Sequence, residues 1–156
     1  MLLRLVTSFV FVFSFMGCAT LQGEHPDSLI IEEVDWPVTE IRQVLAAVIP
    51  AGVRTMSPNG REIQGRHFLV TRNGEFKEAG DALQRYYTHI KILGDRRPYK
   101  LEILVTHEER VLRGNQFTYV VTGYDKRLAK QIENKLRAEL TKRREDRNII
   151  DDFRVF

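Results

Sequence analysis

The sequence predicts an α+β domain: an antiparallel sheet of about five or six strands with two helices on one face, in the order β-α-β-β-β-β-β-α. Two observations predict this class. Runs rich in β-branched and aromatic residues follow one another across short turns that leave no room for crossover helices. Two other segments, 37–49 and 125–146, repeat apolar residues every three or four positions, as amphipathic helices do.

The first strand and the first helix are predicted at the start of the domain. Residues 29–34 form a short β-prone run. In Asp35-Trp36-Pro37, a carboxylate able to cap a helix precedes a proline, whose missing N–H costs nothing at the first helical position. Pro50 stops the helix. We expect Trp36 to pack under the helix rather than to lie on the surface as a recognition residue.

The middle of the chain is predicted to form the rest of the sheet. In residues 99–105 apolar side chains alternate with mostly polar ones, as a sheet with one solvated face requires. Phe117, Tyr119 and Val121 share one side of the last strand. Residues 75–84 are expected to be a loop with one helical turn. The other predicted strands cover residues 53–56, 61–71, 85–93 and 116–122.

The second predicted helix carries a narrow apolar stripe. Its members, four positions apart, are Leu128, Ile132, Leu136 and Leu140. A stripe this narrow predicts a helix that lies along a surface, with the stripe against the apolar side of residues 99–105.

The chain begins with features typical of an export signal. Arg4 follows a short start, and residues 5–16 then contain no charge. As a helix this run would span about 18 Å, well short of a hydrocarbon core of about 30 Å. We therefore predict a signal peptide over residues 1–17 rather than a membrane anchor or a buried helix.

The only cysteine lies where this leader should end. Gly17-Cys18 resembles the lipobox of bacterial lipoproteins, in which the cysteine is acylated and becomes the new N-terminus. Ala19, where an aspartate would retain the protein in the inner membrane, resembles the outer-membrane sorting signal. The resemblance implies lipidation at Cys18 and a domain facing the periplasm. Residues 19–28 are small and polar and include a proline, which predicts a lipidated tether over residues 18–28. A free cysteine in an apolar helix is the alternative.

The predicted domain, residues 29–147, resembles the small lipoprotein domains related to the third lipoprotein of the β-barrel assembly machinery. The resemblance rests on element order and on Asp35-Trp36-Pro37, Gly60, Gly65 and Gly94-Asp95-Arg96. It implies a helix-grip-like fold, a non-enzymatic role and association with the outer membrane.

Motifs for catalysis, metals and cofactors are missing from the sequence. One cysteine excludes an internal disulfide framework and a Cys₄ zinc site. No two histidines have HxH or HxxxH spacing, so neither a metal nor a cofactor is predicted. The adjacent carboxylates Glu32-Glu33, Glu108-Glu109 and Asp151-Asp152 are interpreted as solubilising charges, with a two-carboxylate glycosidase as the open alternative.

The end of the second helix and the tail are the predicted contact regions. Lys142, Arg143, Arg144 and Arg147 form either a solvated helix end or a contact for anionic lipid head groups. Nucleic acid is not predicted as a partner, because the net charge is only +3.

The tail, residues 148–156, is apolar at several positions. It is predicted either to dock on its own domain or to offer side chains to a partner. Those side chains are Ile149, Phe153 and Phe156.

Together these features predict a non-catalytic lipoprotein of the bacterial envelope, a scaffold or assembly partner with an envelope protein as its partner. The alternative is a carrier that holds an apolar ligand between the long helix and the sheet.

Overall fold

The computed structural model describes the backbone of residues 25–152 and the side chains of residues 25–146. The predicted signal peptide, Cys18 and residues 153–156 lie outside the described residues. The elements are β1 (Leu29–Val34), α1 (Val38–Val48), β2 (Val53–Met56), β3 (Glu62–Gly65), β4 (Phe68–Val70), β5 (Phe76–Glu78), β6 (Gln84–Leu93), β7 (Tyr99–Arg113), β8 (Gln116–Tyr124) and α2 (Lys126–Asp152).

All eight strands belong to one antiparallel sheet whose main path is β1-β7-β6-β3-β2. The longest strand, β7, has 15 residues and pairs with β6 on one side. On its other side, its first part pairs with β1 and its second part with β8. The short strands β4 and β5 form a hairpin attached to β6.

One face of the sheet holds the core. Ile63 of β3 lies opposite Ile90 of β6, which lies opposite Ile103 of β7. All three side chains are fully buried. Because strand side chains alternate between faces, this register places these apolar side chains on one face of the sheet. The residues between them point to the opposite face.

Both helices cover this apolar face. Ile41 of α1 and Ile132 and Leu136 of α2 belong to the same buried cluster as Leu101 and Ile103 of the sheet. The predicted class, an antiparallel α+β sheet with two helices on one face, is therefore confirmed. The predicted packing of the Leu128-to-Leu140 stripe is confirmed as well, with Leu140 partly buried at its end.

The start of α1 differs from the prediction in one detail. Trp36 is buried, as expected. Asp35, however, makes no capping hydrogen bond; its carboxylate lies 3.7 Å from the Arg97 guanidinium. The carbonyl of Pro37 instead accepts from the backbone N–H groups of Glu40 and Ile41.

The sheet has more strands than predicted. The predicted strand over 61–71 is two strands, β3 and β4, which break at Gly65. A Cβ at Gly65 would lie 2.7 Å from Cγ2 of Ile49, so the backbone approaches α1 too closely for a side chain. The predicted loop over 75–84 contains a strand, β5, because Phe76 packs edge-on against Phe68 at 5.2 Å and pairs with Val70.

The last helix is longer than predicted. It begins where the Asp125 carboxylate accepts a hydrogen bond from the Leu128 N–H at 2.9 Å, an N-cap. It continues to Asp152 rather than ending at 146, and so runs across the predicted boundary between domain and tail.

Candidate interaction surface

The β7–β8 hairpin carries apolar side chains on the face of the sheet opposite the helices. Its register places Leu112 beside Phe117 and Glu108 beside Val121. Leu83, just before β6, lies next to Arg110, because its carbonyl accepts from the Arg110 N–H. We call Leu83, Leu112, Phe117, Tyr119 and Val121 the hairpin face.

Four of the five side chains of the hairpin face are exposed to solvent, and Tyr119 is partly buried. Leu83 is 73% exposed, Leu112 and Phe117 are each 61% exposed and Val121 is 52% exposed. Single exposed apolar residues are common, but a contiguous group of this kind marks a contact surface more often. The sequence placed Phe117, Tyr119 and Val121 on one side of a strand. It did not show that the helices lie on the other face of the sheet.

Arginine side chains hold the hairpin face in place. The Arg110 guanidinium lies 4.1 Å from the centre of the Phe117 ring, and its Nη1 donates to the Asp81 carbonyl at 3.2 Å. The Arg85 guanidinium lies 3.3 Å from the centre of the Tyr119 ring. These cation–π contacts order the aromatic rings before any partner arrives.

A polar cluster supports the hairpin face from the adjoining strands. Arg85 Nε donates to the Glu108 carboxylate at 2.7 Å, and His67 Nε2 lies 3.4 Å from the same oxygen. Burial and then the charge of Arg85 lower the pKa of His67, against the opposing effect of Glu108. The carboxylate is thus shared between two partners, and the cluster joins the β4, β6 and β7 segments under the rings.

Two histidines should make folding stability depend on pH. Burial and then Lys91 lower the pKa of His89, and burial and then Arg85 lower that of His67. The folded protein therefore binds fewer protons than the unfolded chain, whose histidine pKa is about 6.5. The stabilisation is full above about pH 6.5 and is lost as pH falls below it.

Urea unfolding at about pH 7.5 and about pH 5.5 measures this loss. We expect a lower free energy of unfolding at the lower pH, and a smaller decrease in the double variant His67→Gln/His89→Gln. An equal decrease in the variant and the parent would assign the pH dependence to other groups.

The predicted tether meets the sheet at the end of β8. The backbone N–H of His25 donates to the Glu102 carboxylate at 2.7 Å. The centre of the His25 ring lies 4.3 Å from the centre of the Tyr124 ring. Asp27 lies 3.3 Å from the ammonium group of Lys126. Residues 25–28 thus bind the domain, and the chain enters beside the hairpin.

The predicted contact region of α2 lies far from the hairpin face. Lys142 and Arg144 are exposed, whereas Arg143 is partly buried and donates to Glu139 and Gln43. Arg147 and Ile149 lie in the helix backbone, and Phe153 and Phe156 lie outside the described residues.

The two surfaces occupy opposite ends of the sheet. The hairpin turn follows the last residue of β7. The C-terminal half of α2 reaches the other end, where Leu140 and Arg144 line an open groove of about 270 Å³ with Trp36 and Asp35. Tyr99 at that end of β7 pairs with Val34 of β1. The structure therefore does not combine the basic helix end and the hairpin face into one site.

The space between α2 and the sheet is filled. Ile132 and Leu136 are 0% exposed, as are Leu101 and Ile103 beneath them. A carrier that held an apolar ligand there would have to separate α2 from β7. The packing thus lends no support to the carrier hypothesis.

Among the side chains of residues 25–146, no group of three histidine, aspartate or glutamate residues is placed to hold a metal ion. Neither described helix is both long enough and apolar enough to cross a bilayer. No family model, no curated protein and no solved structure matches the chain. The resemblances to bacterial lipoproteins and to the barrel-assembly lipoprotein domain therefore stay predictions.

Proposed function

We propose that this chain is a non-catalytic, lipid-anchored protein of the bacterial cell envelope. It acts at the outer membrane as a scaffold or assembly partner. The hairpin face is the observation that carries the binding role: Leu112, Phe117 and Val121 are exposed on one side of the β7–β8 hairpin, and the exposed Leu83 lies near them. The lipid anchor rests on the Gly17-Cys18 pattern alone.

The position of the tether supports a site of action close to the membrane. Residues 25–28 contact the sheet beside Tyr124 at the end of β8. Residues 18–24 separate Cys18 from this contact, and a chain of seven residues reaches at most about 25 Å. Lipidation at Cys18 would hold the hairpin near the bilayer, where it can contact integral or lipid-anchored envelope proteins.

In vivo crosslinking tests the binding role. A photoreactive phenylalanine analogue in place of Leu112 should form a discrete adduct with a different envelope protein. The same analogue at Arg127, an exposed position on α2, is the matched control and should form none. A third probe at Arg144 tests the basic end of α2. The binding role fails if neither the Leu112 probe nor the Arg144 probe forms an adduct with another protein.

A further inference from the structure

The free edge of β8 lacks the charges and the short length that protect the other edges of the sheet, and its one interruption is the bulge between Val121 and Gly123. Within residues 25–152, β8 pairs with β7 alone. Its nine residues, QFTYVVTGY, contain neither a charge nor a proline. Proteins usually block such edges with charges, prolines, bulges or short strands, because an open edge pairs with another strand.

The other edges show what that protection looks like. The β1 strand contains Glu32 and Glu33 and is interrupted by a bulge, with Glu33 at φ 58°. The β2 strand has four residues, one of them the exposed Arg54. The β5 strand has three residues, and two of them are charged. Only β8 combines length with an uncharged sequence among the described strands.

The hairpin geometry identifies the main-chain groups that face outward from β8. Gly114 and Asn115 form a two-residue turn, so Arg113 and Gln116 are the first pair of the ladder. In such a hairpin, the residues beside the turn exchange both hydrogen bonds, and alternate residues do so thereafter. The N–H and C=O groups of the intervening residues point to the free edge. Those residues are Phe117, Tyr119 and Val121.

We propose that a second copy of this chain covers this edge, with β8 pairing antiparallel to β8 of the second copy around a two-fold axis at Tyr119. An antiparallel ladder is itself two-fold symmetric, as a dimer interface requires. This register places Phe117 opposite Val121 of the other copy and Tyr119 opposite itself. Aromatic and β-branched residues in such cross-strand pairs are favourable.

The uncharged sequence of β8 favours a second copy over a foreign strand. A symmetric interface brings each charge close to its own copy, and β8 has no charge that would be repelled. Selection of a foreign strand generally uses charges or side-chain pockets along the edge, and β8 provides no charges for it. The paired ladder extends from Phe117 to Val121 and ends before the register shift near His107.

The dimer would unite the two hairpin faces. A two-fold axis perpendicular to the sheet keeps the helices of both copies on one side. The exposed Phe117 of each copy then lies on the other side of the sheet, beside the exposed Val121 of its partner. The inference goes beyond the proposed function and does not depend on the lipid anchor, because it uses only the edge of β8.

Single-cysteine crosslinking tests the dimer and its register. The full chain with Cys18→Ser has no other cysteine, so each introduced thiol is the only one. In the proposed register, Tyr119 faces Tyr119 of the second copy with Cα atoms about 5.5 Å apart, within disulfide range. We expect Tyr119→Cys to become mostly covalent dimer under mild oxidation.

The matched control is Phe117→Cys, whose thiols would be offset by four residues, about 13 Å, and should remain unlinked. A mixture of the Phe117→Cys and Val121→Cys proteins should form the mixed disulfide dimer. Both variants keep Tyr119, so this test stays valid if replacing Tyr119 perturbs folding. The proposal is overturned if Tyr119→Cys and the mixture both stay monomeric. The proposal is also overturned if Phe117→Cys alone forms as much covalent dimer as Tyr119→Cys. Equal crosslinking would mean that the copies associate without a fixed register, for example through the apolar leader. Adducts of Leu112 with another protein would still support the proposed function in either case.

Discussion

The Ile132→Ala variant is expected to lose about 2–5 kcal/mol of unfolding free energy, the usual cost of truncating a large aliphatic side chain in a core. Ile132 is 0% exposed and belongs to the cluster that joins α2 to the sheet. Removing its outer methyl groups leaves a cavity that its rigid neighbours, Leu101 and Ile103, cannot fill completely. The loss should be visible as a lower urea midpoint with an unchanged slope.

The control for this variant is Leu83→Ala, a similar truncation at a residue that is 73% exposed. Its free energy of unfolding should stay within about 0.5 kcal/mol of the parent. If Ile132→Ala were equally silent, α2 would not be held by its stripe. The helix, rather than the hairpin face, would then be the available binding surface.

The packing of α2 could be predicted because it depends on a regular pattern. Leu128, Ile132 and Leu136 repeat at helical spacing over a long segment, and Leu101 and Ile103 alternate within a long strand. Long periodic segments carry enough repeats for their geometry to be deduced. The class of the fold follows from such segments and from the short turns between them.

The β4–β5 hairpin could not be predicted in the same way. Each of its strands has three residues, too few for a period to be visible. What orders β5 is the contact between Phe76 and Phe68, two residues in different strands. At the end of β3, just before the break that separates it from β4, Gly65 approaches Ile49 closely in space. Contacts of this kind arise only when the chain has folded.

The hairpin face was missed for a related reason. The sequence shows that Phe117, Tyr119 and Val121 share a side, but both sides of a strand can be covered in a folded domain. Which side is exposed depends on where α2 lies, and α2 packs against β7 and β1 on the other face. The basic end of α2, in contrast, was visible as a charge run, and the structure leaves Lys142 and Arg144 exposed.

Lipidation is the part of the proposal with the largest expected effect in the cell. Replacing Cys18 removes the only thiol that could carry acyl chains. Each buried methylene contributes about 0.8 kcal/mol, so the loss of several chains should eliminate stable membrane attachment. The described core should be retained, because the residues of its buried cluster lie between Ile31 and Leu136. Folding and anchoring are therefore separable.

The central claim, that this is a lipid-anchored envelope protein, is tested most directly by metabolic palmitate labelling combined with membrane fractionation of the Cys18→Ala variant. The parent protein and the neighbouring variant Thr20→Ala should both be labelled and sediment with the outer membrane. Cys18→Ala should lose the label and leave the membrane fraction. If Cys18→Ala is still labelled and still sediments with membranes, the account of this chain as a lipoprotein anchored at Cys18 is wrong.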